Sequence, residues 1–92
     1  MIVYAECCFF IPETASLKEK RSVLKRMTDR VKNSYNVSIA EIDHQELWQR
    51  TTIALVATAS SKDAAEREVR RAIRLLESNP EWEMSNLTLD YY

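Results

Sequence analysis

The sequence contains no glycine among its 92 residues, and only two prolines. Without glycine it has none of the loops that cradle phosphates in nucleotide-binding proteins and no turn of the kind that presents a catalytic serine. No apolar run approaches the ~18–20 residues that a helix needs to cross a bilayer. The start MIVYAECCFF lacks the basic residues and cleavage site of a secretory signal peptide. We therefore expect a cytoplasmic protein with no membrane partner.

The length predicts one domain over residues 1–92. Apolar residues make up 46% of the chain and charged residues 29%, values typical of globular proteins. A domain of this size buries only about 60–65% of its unfolded surface, which leaves little room for a deep pocket. The composition therefore favours a protein that binds a partner at its surface over one with an enclosed active site.

The two cysteines, Cys7 and Cys8, are adjacent. In a strand their side chains point to opposite faces, so a disulfide between them would need unusual local geometry. Their spacing matches neither a zinc site nor a C-x-x-C redox motif. We interpret both as buried or half-buried small apolar residues, and the alternative is a reactive thiol. No metal and no cofactor are predicted.

The net charge of −1 conceals a strong segregation of charge. Residues 18–32 carry seven basic and two acidic side chains, a net charge of +5. Residues 62–77 carry five basic and four acidic side chains, and the rest of the chain carries one arginine and eight carboxylates. The first of these segments is therefore the predicted basic surface of the molecule.

Hydrophobic periodicity and turn residues divide the chain into six elements. Apart from Glu6, residues 2–11 are apolar on both alternating faces up to Pro12, which predicts a central strand. Ser16 opens an S-x-x-E capping box, and Ser60 or Ser61 caps a second helix. The predicted elements are a strand over 2–11, a helix from 16 to about 36, strands over 37–43 and 50–59, a helix ending at Asn79-Pro80, and a strand over 82–92.

This order, β-α-β-β-α-β, predicts an α+β fold of the ferredoxin-like kind. Right-handed crossovers place both helices on one face of a four-stranded antiparallel sheet. The other face is uncovered, although the first and third strands are apolar on both sides. We therefore expect this open face to meet a partner, which could be a second copy of the chain, another protein or stacked bases.

Three stretches carry a family resemblance: SLKEKRSVL at residues 16–24, AEIDHQ at 40–45 and WQR at 48–50. In these motifs and their spacing the chain resembles, over its full length, the YlxP family of small bacterial proteins. The resemblance implies a ferredoxin-like fold and a cytoplasmic protein, and it supplies no catalytic residues. Genes of the family often lie beside genes for translation initiation and ribosome maturation, which implies ribosomal RNA or a ribosomal particle as the partner.

The first helix is the leading candidate for a binding surface. At about 100° per residue four of its cations fall on one flank of the apolar stripe. Lys20 falls within the stripe, from which its long side chain is expected to reach solvent. Cations near a helix N-terminus oppose the helix dipole, and a phosphate ligand would compensate for them; the alternative is a solvated charged face. The predicted nucleic-acid contacts are Lys18, Lys20, Arg21, Lys25 and Lys32, together with Arg50.

The second helix presents four arginines on an outward face, Arg67, Arg70, Arg71 and Arg74. Glu66 precedes Arg70 by four residues, which predicts a surface ion pair. The arginines suit phosphate or carboxylate groups, and they equally suit a solvated helical surface.

The segment between the second and third strands contains the only histidine. Glu41 and Asp43 are expected on one strand face, where paired carboxylates are conceivable. The H-x-E sequence that begins at His44 lacks the P-C-x-x-C of zinc deaminases. We interpret Asp43, His44 and Trp48 as an interaction loop with Trp48 as its anchor. In the alternative, Trp48 plugs one end of the core and Asp43 caps the turn.

We therefore expect a non-catalytic protein that associates with RNA or the ribosome through its basic first helix. The alternative is a homodimeric protein-interaction module that uses the open sheet face or an edge strand. An enzyme is a third possibility, but nothing in the sequence brings a nucleophile, an oxyanion hole and a pocket together.

Overall fold

All six predicted elements form, and their ends lie close to the predicted positions. A computed structural model describes residues 1–92. Its elements are β1 (Ile2–Phe10), α1 (Leu17–Ser34), β2 (Ser38–Asp43), β3 (Arg50–Thr58), α2 (Lys62–Glu77) and β4 (Glu83–Tyr91). Neither helix has the length and apolar character needed to span a membrane.

The four strands form one antiparallel sheet in the order β2-β3-β1-β4. β1 lies in the centre because it can bury apolar side chains on both faces, as the sequence predicts. β2 and β4 are the edge strands. The predicted ferredoxin-like α+β fold, with both helices on one face of the sheet, is confirmed.

The core lies between the sheet and the helices. Alternate residues of β1, from Val3 to Phe9, are at most 1% exposed. The buried residues of α2 belong to the same core: Ala65, Val69, Ala72, Ile73 and Leu76.

The two adjacent cysteines lie on opposite faces of β1, and both are free thiols. Cys7 is buried in the core, and this burial raises the pKa of its thiol to about 12. Cys8 is half-buried on the open face, 3.3 Å from the Thr52 hydroxyl. The interpretation of both as small core or half-buried residues is confirmed.

Both helices begin at serines that cap them. The Ser16 hydroxyl accepts a hydrogen bond from the Glu19 N–H at 3.1 Å, and the Ser61 hydroxyl accepts one from the Ala64 N–H at 3.2 Å. The carboxylate of Glu19 accepts in turn from the Ala15 N–H at 3.3 Å. These bonds satisfy donors that the first helical turn leaves free.

Trp82 fills the end of the core that the sequence could also have assigned to Trp48. Its side chain packs 5.1 Å from the Phe9 ring and is 5% exposed, whereas Trp48 is 51% exposed. The interpretation of Trp48 as a core plug is therefore wrong. Trp82 follows the turn at Asn79 and Pro80, which directs its indole under the sheet.

Candidate nucleic-acid interface

Lys20 occupies a core position of α1. Its side chain is 1% exposed, and Nζ donates to the carbonyl oxygens of His44 at 2.7 Å and Leu47 at 2.6 Å. Nζ also lies 2.9 Å from Oε2 of Glu41, so all three ammonium protons have acceptors. The prediction that Lys20 reaches solvent and contacts nucleic acid is wrong, because the residue is a buried tie between α1 and the β2–β3 loop (residues 44–49).

Glu41, on the edge strand β2, is the third acceptor for the ammonium group of Lys20. Its carboxylate accepts from the Thr51 hydroxyl at 2.6 Å, and its side chain is 14% exposed. A register shift follows it, since Glu41 pairs with Ile53 whereas Asp43 pairs with Thr52. The bulge places an extra residue in β2 and turns the two carboxylates to opposite faces of the sheet. The expected pair of carboxylates on one face is therefore wrong.

His44 lets a loop without glycine reverse direction. Its φ of 64° lies in the left-handed region, which histidine occupies more readily than most residues. Oδ1 of Asp43 accepts from the His44 N–H at 2.7 Å, and Nδ1 of His44 lies 2.9 Å from the Thr52 hydroxyl. Asp43 and His44, predicted as interaction residues, thus stabilise the turn itself, as the capping alternative expects for Asp43.

The second half of the loop is fixed to the segment that follows β1. The Ile11 N–H donates to the Gln49 carbonyl at 2.8 Å, and Nε2 of Gln49 donates to the Pro12 carbonyl at 3.0 Å. The loop is therefore hydrogen-bonded to α1 on one side and to the β1 extension on the other. Between these anchors it holds Leu47 and Trp48 about half exposed.

Trp48 lines a shallow open groove of about 390 Å³. The other lining residues include Phe10 from β1 and Arg50 from the start of β3, which face each other across the two strands. The structure thus brings two of the predicted site residues, Trp48 and Arg50, together. The carboxylate of Glu46 lies in the same groove.

The basic flank of α1 (Lys18, Arg21, Lys25 and Lys32) faces the unpaired edge of β2. Three of these residues line a groove of about 500 Å³ between the helix and the strand, together with Ile39 and Ala40. The fourth, Lys18, is exposed in the first turn. The predicted clustering of these four cations on one flank is therefore present, without Lys20.

One of the four is partly neutralised within α1. Nζ of Lys25 lies 2.8 Å from Oδ2 of Asp29, and this hydrogen bond raises the pKa of Lys25 and lowers that of Asp29. Lys18, Arg21 and Lys32 form no salt bridge. Asp29 and Glu41 line the same groove, and the charge of Lys32 contributes to the lowered pKa of Asp29, but none of the three cations is held in an ion pair.

The arginines of α2 lie on a different side of the molecule. Nε of Arg70 is 2.6 Å from Oε2 of Glu66, which is the predicted ion pair. Both side chains also interact with Tyr91 of β4, and Nζ of Lys62 lies 5.0 Å from the centre of the same ring. This end of α2 is thus occupied by contacts within the molecule.

The open face of the sheet carries polar pairs among its apolar residues. The Tyr4 hydroxyl donates to Oε2 of Glu6 at 2.9 Å, and this bond raises the pKa of Tyr4. The Cys8 thiol and the His44 ring share the hydroxyl of Thr52. No three His, Cys, Asp or Glu side chains are grouped so that they could hold a metal ion.

The sequence missed two residues that build this region, Glu41 as the partner of Lys20 and Trp82 as the core aromatic. A signal for the first was present, because a lysine at a core position of an amphipathic helix needs a buried acceptor. Nothing comparable in the sequence indicated that Trp82, and not Trp48, fills the end of the core.

Comparison with solved structures defines the class of protein as a ferredoxin-like α+β domain. A structure titled "Structural Genomics, protein YJCS" superposes with a TM-score of 0.66 at 10% identity, covering 100% of this chain and 99% of that one. The de novo designed protein Foldit4 superposes with a TM-score of 0.59 at 17% identity, covering 99% and 97%. At these identities the likeness shows the fold alone.

Sequence comparison identifies the family. The model described as "Protein of unknown function (DUF503)" matches residues 2–89. "Uncharacterized protein YlxP" of Bacillus subtilis (strain 168) is 44% identical over 92 residues and is covered over 100% of both chains. The chain therefore belongs to the DUF503 family and is similar to YlxP over its whole length, which confirms the resemblance found in the sequence motifs.

Proposed function

We propose that this protein is a non-catalytic, cytoplasmic RNA-binding accessory protein of the ribosome, which contacts the phosphate backbone through the basic flank of α1. The observation that carries the proposal is the set of three exposed cations on one helix flank, Lys18, Arg21 and Lys32, that form no salt bridge within the molecule. The ribosomal partner is taken from the family resemblance.

The dimensions of the flank suit a nucleic-acid strand. Lys18 and Lys32 are separated by about 21 Å along the helix axis, at 1.5 Å per residue. Phosphates of one duplex strand follow each other at about 3.4 Å along the helix axis, so the flank is as long as about six of them. Binding would release counterions from the RNA, which makes the affinity strongly dependent on salt.

The flexible side chains of the flank favour backbone binding over sequence recognition. Contacts to phosphates position a protein on nucleic acid without reading its bases. Three of the four flank residues are lysines, which act as point charges and lack the planar fork that arginine offers to a base edge. We therefore expect similar affinities for oligoribonucleotides of different sequence.

The experiment compares two charge-reversed variants with the same change in net charge. The flank variant carries Lys18→Glu, Arg21→Glu and Lys32→Glu, and the control carries Arg67→Glu, Arg71→Glu and Arg74→Glu on α2. Binding of a labelled single-stranded 12-mer RNA is measured by fluorescence anisotropy between 50 and 200 mM salt. Loss of three phosphate contacts lowers the slope of log affinity against log salt by about 2, at about 0.7 per contact.

We expect the flank variant to bind on the order of 100-fold more weakly than the unmodified protein at low salt. The α2 variant should retain most of its affinity. Equal losses in both variants would mean that only the overall charge matters, and unchanged binding by the flank variant would refute the proposed surface. Circular dichroism spectra of both variants check that the fold is kept.

A homodimer is the second candidate, and it is favoured by the uncovered sheet face. Ile2 is 42% exposed there, and the edge strands β2 and β4 offer free backbone groups. Light scattering over a range of concentrations tests this candidate. The Ala54→Arg variant, which places a charge in the middle of the face, should dissociate such a dimer, and a protein that is monomeric at every concentration excludes it.

A further inference from the structure

Hydrogen bonds to neighbouring elements fix the backbone of the β2–β3 loop, which carries the exposed indole of Trp48. Lys20 hydrogen-bonds two of its carbonyl groups from α1, and Gln49 ties its far end to Ile11 and Pro12. A loop that serves only as a solvent-exposed turn needs no such hydrogen bonds to neighbouring elements. Because its backbone is fixed on both sides, the loop presents Trp48 at little cost in conformational entropy on binding.

The groove beside Trp48 combines flat apolar surface with a cation. Phe10, Leu47 and Trp48 are its apolar lining residues, and Arg50 lines the same groove. Aromatic rings bind nucleobases by stacking, and a neighbouring arginine adds a cation that can contact either the base or its phosphate. These groups suit a planar ring that carries a negative charge nearby, as a nucleotide does.

The loop lies next to the basic flank. Nζ of Lys20 reaches the carbonyl oxygens of His44 and Leu47, so the first turns of α1 lie within one lysine side chain of the loop. Lys18 and Arg21 are exposed on those same turns. Phe10 and Arg50 are paired at the end of the sheet, and Phe10 points to the face opposite the helices, so a strand that follows the flank reaches the groove by passing over the loop.

We propose that Trp48 is a stacking platform for an unpaired base of the RNA whose phosphates bind the basic flank of α1. This inference rests on the proposed function and adds that the RNA is single-stranded where it meets the loop. Lys20 is then a positioning residue, because it fixes the loop without touching the ligand. The carboxylate of Glu46 repels phosphate and can accept a hydrogen bond from a base N–H, which favours the base over the backbone in the groove.

The experiment separates base contacts from phosphate contacts. Two labelled probes of equal length are compared, a single-stranded 12-mer oligoadenylate and a 12-mer phosphodiester chain of abasic residues. The unmodified protein, Trp48→Ala and Trp48→Phe are titrated with each probe at low salt. We expect the unmodified protein to bind the base-bearing probe at least tenfold more tightly than the abasic one, the size of effect expected of one stacked base.

The variants assign that difference to the indole. Trp48→Ala should bind both probes with the affinity that the unmodified protein has for the abasic probe, and Trp48→Phe should keep most of the preference because it retains an aromatic face. Quenching of Trp48 fluorescence by the oligoadenylate is a second measurement. Trp82 is buried, so a change on binding reports mainly on Trp48. The substituted side chain is half exposed, and thermal unfolding confirms that the variants fold.

The outcomes distinguish the two proposals. If neither probe binds, the proposed function fails and the stacking platform fails with it. If both probes bind equally and the flank variant weakens both, the proposed function is supported and the stacking platform is refuted. If Trp48→Ala binds oligoadenylate as tightly as the unmodified protein, Trp48 does not stack on RNA, and its exposure serves another macromolecule.

Discussion

The two helices differ in how their charges relate to the helix itself. In α2 an aspartate stands in the first turn, an arginine stands in the last, and Glu66 precedes its partner Arg70 by one turn. All three arrangements stabilise an isolated helix. Asp63, Arg74 and the Glu66–Arg70 pair thus stabilise the helix that carries them, whereas Lys62 and Glu77 stand at the ends that the dipole disfavours.

In α1 the charges follow these rules less well. Glu19 and Lys32 are placed as the dipole favours, but Lys18, Lys20 and Arg21 lie at the positive end. In its ion pair the lysine, Lys25, precedes the carboxylate, Asp29, by four residues, an order that stabilises a helix less than the reverse order does. Lys18, Lys20 and Arg21 therefore do not stabilise the helix: Lys20 binds the β2–β3 loop, and in our proposal Lys18 and Arg21 bind an external anion.

The buried stripes of the two helices show the same contrast. Every buried residue of α2 is apolar, whereas α1 gives one core position to Lys20. An apolar residue there would pack well and would leave the β2–β3 loop unattached. The comparison indicates that α2 is mainly a packing element, and that α1 also organises the surface beside it.

The largest expected effect in this comparison is that of Lys20→Met. The substitution leaves the part-buried carboxylate of Glu41 and two carbonyl groups without their donor. We expect the free energy of unfolding to fall by about 3 kcal/mol, at the lower end of the range for breaking a buried ion pair because Glu41 is 14% exposed. Chemical denaturation followed by circular dichroism measures it.

The control for this prediction removes both charges. Lys20→Met combined with Glu41→Leu should recover much of the loss, because an apolar pair of similar volume avoids the uncompensated carboxylate. A loss of less than about 1 kcal/mol for Lys20→Met alone would contradict this prediction. It would mean that water replaces the ammonium group as hydrogen-bond donor to Glu41 and the loop carbonyls at little cost.

The helix caps provide a second, smaller comparison. Ser16→Ala and Ser61→Ala each remove a hydroxyl that accepts an N–H of the first turn, at a cost of about 1 kcal/mol. We expect the larger loss for Ser16→Ala, because its helix has cations at the N-terminus and depends more on its capping box. Thermal unfolding detects this, at about 4–8 °C per kcal/mol for a domain of this size. A larger loss for Ser61→Ala would contradict the contrast between the helices.

The smallest effect concerns pH. Hydrogen bonds from Lys25 and Arg70 lower the pKa values of Asp29 and Glu66, respectively. A carboxyl group whose pKa is lower in the folded state stabilises the fold above its unfolded pKa, and this contribution is lost as the pH falls through the folded value. The contribution of each pair should therefore be lost in acid, as the pH falls from the ordinary pKa of 3.8 for Asp29 or 4.5 for Glu66 through the lowered value in the folded protein.

Nuclear magnetic resonance titration of the side-chain carboxyl carbons measures the two pKa values directly. Lys25→Met should return Asp29 toward its ordinary pKa, and Arg70→Met should do the same for Glu66. Each substitution should leave the carboxyl group of the other helix unchanged. If Glu66 keeps its low pKa without Arg70, the hydroxyl of Tyr91 is its main donor instead.

The order and boundaries of the elements could be predicted from the sequence because each depends on local patterns. The apolar run of β1, the serines that cap the helices, and the turn at Asn79 and Pro80 act on neighbouring residues. The antiparallel order of the sheet then follows from right-handed crossovers and needs no contact-level information.

The candidate site could be predicted only in part. The flank of α1 follows from helical periodicity, but the burial of Lys20 depends on carbonyl groups more than twenty residues away. The separation of Glu41 from Asp43 depends on a bulge, which arises from the register with β3 and leaves no pattern in β2 alone. Which tryptophan fills the core was likewise decided by tertiary packing against Phe9.

The position of β1 in the sheet governs how the chain can fold. Only β2 and β3 pair as near neighbours in sequence, whereas β1 must meet β3 and then β4, as in the pairing of Val3 with Tyr91. Each of these pairings closes a long loop of chain. The chain loses the entropy of loop closure before the stabilising contacts form, and this slows folding. Refolding should therefore be slower than that of a helical bundle of equal length, with the central strand as the last to gain both of its neighbours.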